Sequence, residues 1–345
     1  PAWSQEAATG PLRIGLIASY TGPYADYGRQ FDAGIATWLR ESGGRLAGRP
    51  VEIVRRDTAG AAPDLAKRAA QELIVRDKVD LIAGLDFSPN AYAVSPVLTQ
   101  AKVAGLVLNA ASSGIPAASP CLARLSFTVG QVSAPMGTWM ARQGLRRAWT
   151  VVADYAPGHD AEAAFRKAFE SGGGRVAGSL RTPLSTLDFA PYLQRIREAR
   201  PQAVFFFFPS GVMPPAFLKA WKERGMEQVG IRLFATGEAT DDTYLQATGD
   251  VALGLVTSHH YSYAHPAARN RQFVRNFEAE AGAGLRPNYF AVTAYDGMSA
   301  LAAALAKTRG DTSGERLVAA LKGLALDSPR GPIEIDAATR DIVQT

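Results

Sequence analysis

Short apolar runs alternate with amphipathic stretches along almost the whole chain. The run LRIGLIAS (Leu12–Ser19) precedes a stretch in which Tyr27, Phe31 and Ile35 recur at helical spacing. The runs VEIVRRD, VDLIAGL and AGLVLNA follow, and a segment with helical periodicity precedes each of them. Apolar runs of this length fit buried strands, so the pattern predicts a parallel sheet covered by helices on both faces.

The same order of elements begins again after CLARLSFTVG. A helical stretch precedes each of the runs RAWTVVAD, RVAGSLRT, AVFFFF and IRLFATG, which predicts a second lobe of the same kind. The run ALGLVTSHHYSY, two long helical stretches and the short strand GPIEID complete the chain. The predicted fold class is therefore α/β, with two lobes.

The dipeptide Ser88-Pro89 marks a helix start directly after VDLIAGL. Serine at the N-cap accepts a hydrogen bond from a free N–H, and proline at the first helical position has no N–H to lose. The positive end of this helix would face the carboxyl end of the preceding strand, where open α/β sheets bind ligands. We therefore predict an anion site at Ser88 with Phe87 as an aromatic wall; a simple helix cap is the alternative.

The composition is that of a folded globular protein, with 47% hydrophobic and 20% charged residues. The longest apolar runs, such as Ala203–Phe208, are far shorter than the roughly 20 residues of a membrane helix, so no membrane span is predicted. The net charge of +5 comes from scattered Lys and Arg, which argues against nucleic-acid binding. The lone Cys121 excludes an internal disulfide.

The first residues, PAWSQEAATGP, are small and polar, and residue 1 is not Met. We expect residues 1–11 to be an extended remnant left after removal of a secretory signal peptide, which predicts export. A shortened expression sequence would have the same appearance.

The sequence contains none of the common catalytic or cofactor motifs. The four histidines lack metal-ligand spacing, and GxSxG, Walker and GxGxxG motifs are absent. Acids such as Asp86 and Glu238 have no catalytic partner that spacing can identify. We therefore predict that the protein is not an enzyme and holds no metal and no cofactor.

Six loops that follow predicted strands are rich in hydroxyl and aromatic side chains. They are Ser19–Tyr24, Asp86–Asn90 and Asn109–Gly114 in the first lobe, and Ala153–Asp160, Phe208–Gly211 and Thr236–Asp242 in the second. If the lobes face each other, these loops line a single cleft. They contain no arginine, so a bound carboxylate would depend on hydroxyls, backbone N–H groups and a helix end.

Several long segments resemble one known family. RIGLIASYTGPYADYGRQFDAGIATW, GRPVEIVRRDTAGAAPDLAKRAAQELIVRDKVDLIAG, ADYAPGHDAEAAFRKAFE and AYDGMSALAAAL are similar to the periplasmic substrate-binding proteins of ABC importers, in the leucine/isoleucine/valine-binding branch. The resemblance implies two Rossmann-like lobes of the type I periplasmic-binding-protein fold. It also implies a three-segment hinge, a ligand cleft between the lobes, and a periplasmic location.

The resemblance implies domain boundaries as well. Lobe one is expected at residues 12–125 plus 259–331, and lobe two at residues 126–258 plus 332–345. The crossovers between them are expected near residues 124–128, 257–261 and 331–336.

The resemblance also implies a set of ligand-binding residues. Ser88 corresponds to the family's carboxylate-binding hydroxyl, and Ala110 and Ser112 correspond to the contacts of the next loop. Glu238 corresponds to the acid that meets the ammonium of an amino-acid ligand. Tyr24, Tyr155, Phe208 and Tyr261 lie near positions that line the family's pocket. The strand-end loops add Tyr20 and Phe87 to the expected aromatic lining, and Phe87 stands where relatives that bind aliphatic amino acids often have a small residue.

Two ligand classes stay open at this stage. The aromatic lining favours a small apolar or aromatic carboxylate, whereas Glu238 favours a branched-chain or aromatic amino acid, whose ammonium would pair with it. The ligand is expected to bind by hinge closure, and the membrane subunits of the importer would recognise the closed form. A ligand-sensing receptor or regulator domain on the same fold is a further alternative.

Overall fold

The computed structural model describes residues 10–282 and 284–344. Contacts divide these residues into two compact units. The first unit contains the chain up to Phe127 and from Tyr263 onward, and the second is Thr128–Ser262. The predicted remnant at residues 1–11 lies largely outside the described residues.

The strands, in chain order, are β1 (Leu12–Ala18), β2 (Arg45–Leu46), β3 (Arg49–Asp57), β4 (Leu81–Gly84), β5 (Ala104–Val107), β6 (Leu122–Arg124), β7 (Arg147–Ala153), β8 (Arg175–Thr182), β9 (Ala203–Phe207), β10 (Arg232–Thr236), β11 (Val256–Ser258), β12 (Ala325–Ser328), β13 (Gly331–Ile335) and β14 (Ile342–Gln344). The α-helices are α1 (Ala25–Glu41), α2 (Pro63–Val75), α3 (Ser88–Ala101), α4 (Val129–Arg142), α5 (Ala156–Ser171), α6 (Ala190–Ala199), α7 (Met213–Glu223), α8 (Asp242–Thr248), α9 (Ala268–Ala281), α10 (Tyr289–Thr308) and α11 (Gly314–Leu321).

Each unit is built on a mainly parallel sheet. The first has the strand order β2-β3-β1-β4-β5-β6, in which only β2 pairs antiparallel, and the second has the order β11-β10-β9-β7-β8. The predicted α/β class with two lobes is confirmed. In parallel sheets the carboxyl ends of the strands meet at one edge, so the loops after β1, β4 and β5 gather in the first unit.

The strand β9 shows why the second unit has a core on each face of its sheet. All of its residues are buried, and successive side chains point to opposite faces. Phe205 packs with Phe165 on one face, while Phe206 packs with Phe217 on the other. A continuous apolar run is therefore the expected sequence for this strand.

The C-terminal segment differs from its predicted place in lobe two. The chain passes from the first unit to the second at Phe127/Thr128 and returns at Ser262/Tyr263. Residues 331–336, where a third crossover was predicted, lie mostly in β13, which pairs antiparallel with β12 and β14 in the first unit. The physical reason is a pair of buried arginines. Arg330 donates to Asp296 and Arg124 donates to Asp341, which ties this sheet to the first unit.

Within the described residues, no helix combines the length and the apolar character that crossing a membrane requires.

Candidate functional site

The loop between β4 and α3 turns through two successive residues with positive φ. Gly84 has φ 97° and Leu85 has φ 57°. A Cβ on Gly84 would lie 2.2 Å from the carbonyl oxygen of Ile17, so only glycine allows β4 to end this close to β1. Left-handed φ at a bulky residue such as Leu85 is uncommon and is concentrated at functional sites. This turn carries Asp86, Phe87 and Ser88.

Ser88 is the first residue of α3, and it does not cap the helix as predicted. The residue before it, Phe87, has the extended N-cap conformation and makes no side-chain capping bond. The Ser88 Oγ instead accepts a hydrogen bond of 3.1 Å from the Ser112 N–H. This bond joins the loop after β4 to the loop after β5. Because α3 begins at Ser88, this residue occupies the first helical position and not the N-cap, and its hydroxyl bonds to the neighbouring loop instead.

Two buried hydroxyl groups meet at this point. Ser88 and Ser112 are each 1% exposed, and the Ser112 Oγ has no hydrogen-bond partner within the described part of the chain. The neighbouring Ala110, which is also buried, donates its N–H to the Leu85 carbonyl. A buried hydroxyl without a partner is costly, so this position suits a ligand that accepts hydrogen bonds.

Aromatic rings pack beside the two serines. The centroids of the Tyr24 and Phe87 rings are 4.9 Å apart in an edge-to-face arrangement, and Tyr27 stacks on Phe87 at 5.6 Å. Desolvation raises the pKa of Tyr24. Two of the predicted lining residues, Tyr24 and Phe87, therefore form one cluster next to Ser88.

Tyr20, also a predicted lining residue, is bound into a different set of contacts. Its hydroxyl donates to Asp32 at 3.2 Å, its N–H donates to Asp57 at 2.8 Å, and Arg55 binds the same Asp32 carboxylate. Burial raises the pKa of the Tyr20 hydroxyl.

Two polar residues that the sequence did not single out as ligand contacts flank this region. Asp86 accepts two hydrogen bonds from Ser19 on its Oδ2, while its Oδ1 has no partner among the described residues. Asn109 donates to the Asp86 carbonyl, and its own Oδ1 is likewise unpaired in the described part of the chain. Desolvation by burial raises the pKa of Asp86 to about 6. Both residues lie at the ends of predicted strands, and this position was the only feature of the sequence that indicated a place near the site.

In the second unit, Tyr155 directly precedes α5. Its ring stacks with that of Phe207 at a centroid distance of 6.3 Å. The helix starts so close to β7 that a Cβ on Gly158 would lie 1.9 Å from the Ala153 carbonyl oxygen. The segment Ala156–Gly158 is therefore a helix start that requires glycine at its third position.

The predicted lining residue Phe208 lies in the hydrophobic core of the second unit. Its ring packs against Phe189, Phe206 and Phe217 at centroid distances of 5.2, 5.5 and 5.3 Å. We therefore leave Phe208 out of the site proposed below. Sequence alone did not separate it from Phe207, because all residues of this run are apolar. Tyr261, in the segment after β11, is 8% exposed.

Glu238 lies on a short 3-10 turn, Gly237–Thr240, that follows β10. It is 5% exposed, and its Oε2 has no hydrogen-bond partner among the described residues. Desolvation by burial raises its pKa to about 7, although a hydrogen bond from Thr236 acts in the opposite direction. Near neutral pH this side chain can therefore be either a neutral acid or a carboxylate.

The raised pKa of Glu238 predicts a pH dependence of stability. The pKa of this carboxyl is near 4.5 in the unfolded state and higher in the folded state, so the folded state holds the proton more tightly. The resulting stabilisation of the fold is complete below pH 4.5. It is lost as the pH rises to about 7, and the loss is roughly 3 kcal/mol. Urea denaturation at pH 5 and pH 8 should show a smaller fall in unfolding free energy for Glu238→Gln than for the unchanged protein. Equal falls in both proteins would contradict this assignment.

Among the described residues, no cluster of His, Cys, Asp and Glu could hold a metal ion.

Two mainly parallel units, with hydroxyl, aromatic and unpaired polar groups in the loops that follow their strands, are the features of a solute-binding protein. The chain belongs to the family described as periplasmic binding protein, whose model matches residues 11–345.

Curated relatives and solved structures agree with this assignment. The chain is 40% identical over 333 residues to the Leu/Ile/Val-binding protein homolog 6 of Brucella melitensis, covering 96% of this chain and 85% of the relative. It is 45% identical to an ABC-transporter solute-binding protein of Rhodopseudomonas palustris BisB5 solved with 3,4-dihydroxybenzoic acid, with a TM-score of 0.92 and coverage of 97% and 91%.

Two further structures from R. palustris are similar. A solute-binding protein in complex with 4-hydroxybenzoate is 38% identical with a TM-score of 0.93, and one in complex with benzoate is 31% identical with a TM-score of 0.89. Each covers 97% of this chain, and the chain covers 91% of each. The predicted family and class of function, a solute-binding component of ABC transport, are confirmed.

Proposed function

We propose that this protein is the extracytoplasmic solute-binding component of an ABC importer and that its ligand is a small aromatic carboxylate of the benzoate and hydroxybenzoate class. Binding by hinge closure, release of the ligand unchanged, and export by a removed signal peptide are parts of this proposal.

The observation that carries the proposal is a pair of buried hydroxyls, one at the start of α3 and one in the neighbouring loop after β5. Ser88 and Ser112 can donate to a carboxylate, and the positive end of the helix dipole favours the negative charge. Each hydrogen bond to a charged group contributes roughly 1.5 to 3 kcal/mol, so a few suffice for binding without an arginine contact.

The aromatic cluster supports the second half of the ligand assignment. The edge-to-face pair of Tyr24 and Phe87 lies beside Ser88, and an aromatic ring stacked there adds about 0.5 to 1.5 kcal/mol beyond the burial of its area. The relatives solved with benzoate and hydroxybenzoates lend independent support.

A branched-chain or aromatic amino acid is the second candidate ligand. The unpaired carboxylate oxygen of Glu238 favours it, because a ligand ammonium would supply the missing partner. The curated Leu/Ile/Val-binding relatives support it as well. However, a Glu238 with a pKa near 7 is readily neutral, and a neutral acid needs no cationic partner.

A thermal-shift screen tests the proposal directly, because a ligand that binds only the folded state raises the melting temperature. Benzoate, 4-hydroxybenzoate and 3,4-dihydroxybenzoate should raise it, whereas leucine, isoleucine, valine and phenylalanine should leave it unchanged. A shift with the amino acids alone would reject the aromatic acid in favour of the second candidate.

The Glu238→Gln variant separates the two ligands by mechanism. The amide carries no charge to pair with an ammonium, so if an amino acid is the ligand its binding should be lost in this variant. Binding of 4-hydroxybenzoate should change by less than about threefold. Calorimetric titration of both ligands into both proteins measures this. Parallel losses for both ligands would mean that Glu238 does not discriminate between them.

A further inference from the structure

We propose that Arg124, a fully buried arginine behind the loop that contains Ala110 and Ser112, is the positioning residue that makes this loop select an anion. The proposal rests on the proposed function and adds to it the source of the site's charge preference. The sequence placed no arginine in the site, because Arg124 lies on β6 and reaches the loop from behind.

The contacts of Arg124 define its role. Its side chain is 0% exposed, and its Nη1 donates to the carbonyl oxygens of Ala110 at 2.9 Å and Ser112 at 2.7 Å. Its Nε donates to Asp341 at 2.7 Å, while its Nη2 has no acceptor within the described part of the chain. One guanidinium therefore holds two carbonyl groups of the loop that also carries the unpaired Ser112 hydroxyl.

The contact of Arg124 with the Ala110 carbonyl also fixes the direction of the next backbone N–H, because the peptide group is planar and trans. In each trans peptide the C=O and the following N–H point in opposite directions. Because the Ala110 carbonyl points at Arg124, the N–H of Ala111 points away from it. That N–H has no hydrogen-bond partner among the described residues, although Ala111 is only 7% exposed. The arginine thus turns a backbone donor towards the side opposite its own charge.

The charge of Arg124 also strengthens that donor. A charge-assisted hydrogen bond to a carbonyl polarises the peptide, and hydrogen bonds in a chain reinforce one another at low dielectric constant. The Ala110 carbonyl that accepts from the guanidinium belongs to the same peptide group as the Ala111 N–H, so this N–H is the donor that is polarised. An anion at this N–H is favoured, whereas a neutral ligand of the same shape gains less.

Asp341 moderates the effect. It is the counter-charge of Arg124, but its side chain is 18% exposed whereas that of Arg124 is 0% exposed, so solvent screens the aspartate more than the arginine. The net contribution of this ion pair to the field at the loop is therefore positive. Removing the negative charge of Asp341 should increase this field, and removing the positive charge of Arg124 should abolish it.

The experiment compares an acid with its neutral amide. Calorimetric titration of 4-hydroxybenzoate and 4-hydroxybenzamide into the full chain gives the ratio of their affinities. In Arg124→Met this ratio should fall about tenfold or more, mainly through weaker binding of the acid. In Arg124→Lys, which keeps the charge but loses the planar fork, the fall should be smaller. In Asp341→Asn the ratio should rise about two- to fivefold.

Arg340→Met is the matched control. Arg340 donates to the carbonyls of Pro116, Ser119 and Leu122 but to none in the loop 110–112, so its loss should leave the ratio within about twofold. Circular dichroism confirms that each variant is folded.

A purely structural role predicts a different result. Arg124→Met and Asp341→Asn break the same ion pair, so both would weaken the acid and the amide alike, and the ratio would stay constant. That result overturns this inference while leaving the proposed function intact. If Arg124→Met does not fold, a ratio that falls or stays constant in Asp341→Asn overturns the inference by itself. Failure of the unchanged protein to bind any aromatic acid overturns both.

Discussion

Asp296→Asn should lower the free energy of unfolding by about 3 to 5 kcal/mol, the largest stability loss that we expect from a nearly isosteric change. The Asp296 carboxylate accepts from the Arg330 guanidinium at 2.9 Å, and the two side chains are 2% and 0% exposed. Without the aspartate, the charge of Arg330 is buried and uncompensated. Its remaining partners are the carbonyls of Leu125 and Ser126, close to where the chain leaves the first unit.

The pKa directions of this pair show that desolvation acts against both of its charges. Burial raises the pKa of Asp296 and lowers that of Arg330, so the surroundings disfavour both charges even though the partners stabilise each other. Removing both charges together, in Asp296→Leu with Arg330→Met, should therefore cost less than Asp296→Asn alone. Urea denaturation followed by circular dichroism measures all three proteins.

The surface pair of Lys219 and Glu223 serves as the control for this prediction. Its atoms are 3.9 Å apart, and its side chains are 71% and 64% exposed, so Glu223→Gln should change stability by less than about 0.5 kcal/mol. A loss in Asp296→Asn no larger than this control would contradict the assigned importance of the buried pair.

Ser88→Ala should weaken the binding of 4-hydroxybenzoate at least about tenfold. The change removes a donor to the ligand carboxylate, which is worth roughly 1.5 to 3 kcal/mol, and it also removes the acceptor that holds the Ser112 N–H. Calorimetric titration gives the dissociation constants.

Ser95→Ala is a control on the same helix. Ser95 is equally buried, but its hydroxyl donates within α3 to the Ala91 carbonyl at 2.7 Å. The substitution is chemically identical, so it should leave the affinity within about twofold. An unchanged affinity in Ser88→Ala would remove that residue from the site, and equal losses in both variants would point to the helix rather than to the hydroxyl.

The sequence predicted the order of strands and helices closely. The predicted strand RVAGSLRT has the same bounds as β8, and LRIGLIAS extends only one residue beyond β1. The antiparallel sheet of β12, β13 and β14 was not predicted as a sheet, and the part of it from residue 332 onward was assigned to lobe two instead of lobe one. Short strands on the edge of a unit carry little periodicity, and their pairing depends on the buried partners of Arg124 and Arg330.

The sequence predicted in part which of the candidate residues lie together, and the reason is physical. Ser88, Phe87 and Tyr24 meet because parallel strands bring their following loops to one edge, a rule that sequence order is enough to apply. The predicted role of the Ser88 hydroxyl as a helix cap was wrong, because this hydroxyl joins two loops instead. The placement of Phe208 in the core could not be read from a run in which every residue is apolar.

By itself, the sequence determined that this protein has two α/β units with hydroxyl-rich loops at strand ends, because periodicity and helix-start chemistry are local properties of the chain. Only the tertiary structure decided which polar groups share a buried space. The contact between Arg124 and the loop of Ala110 and Ser112, and the burial that raises the pKa of Glu238, depend on groups that are distant in the chain. Burial and electrostatic coupling are properties of the packed fold, and no local pattern encodes them.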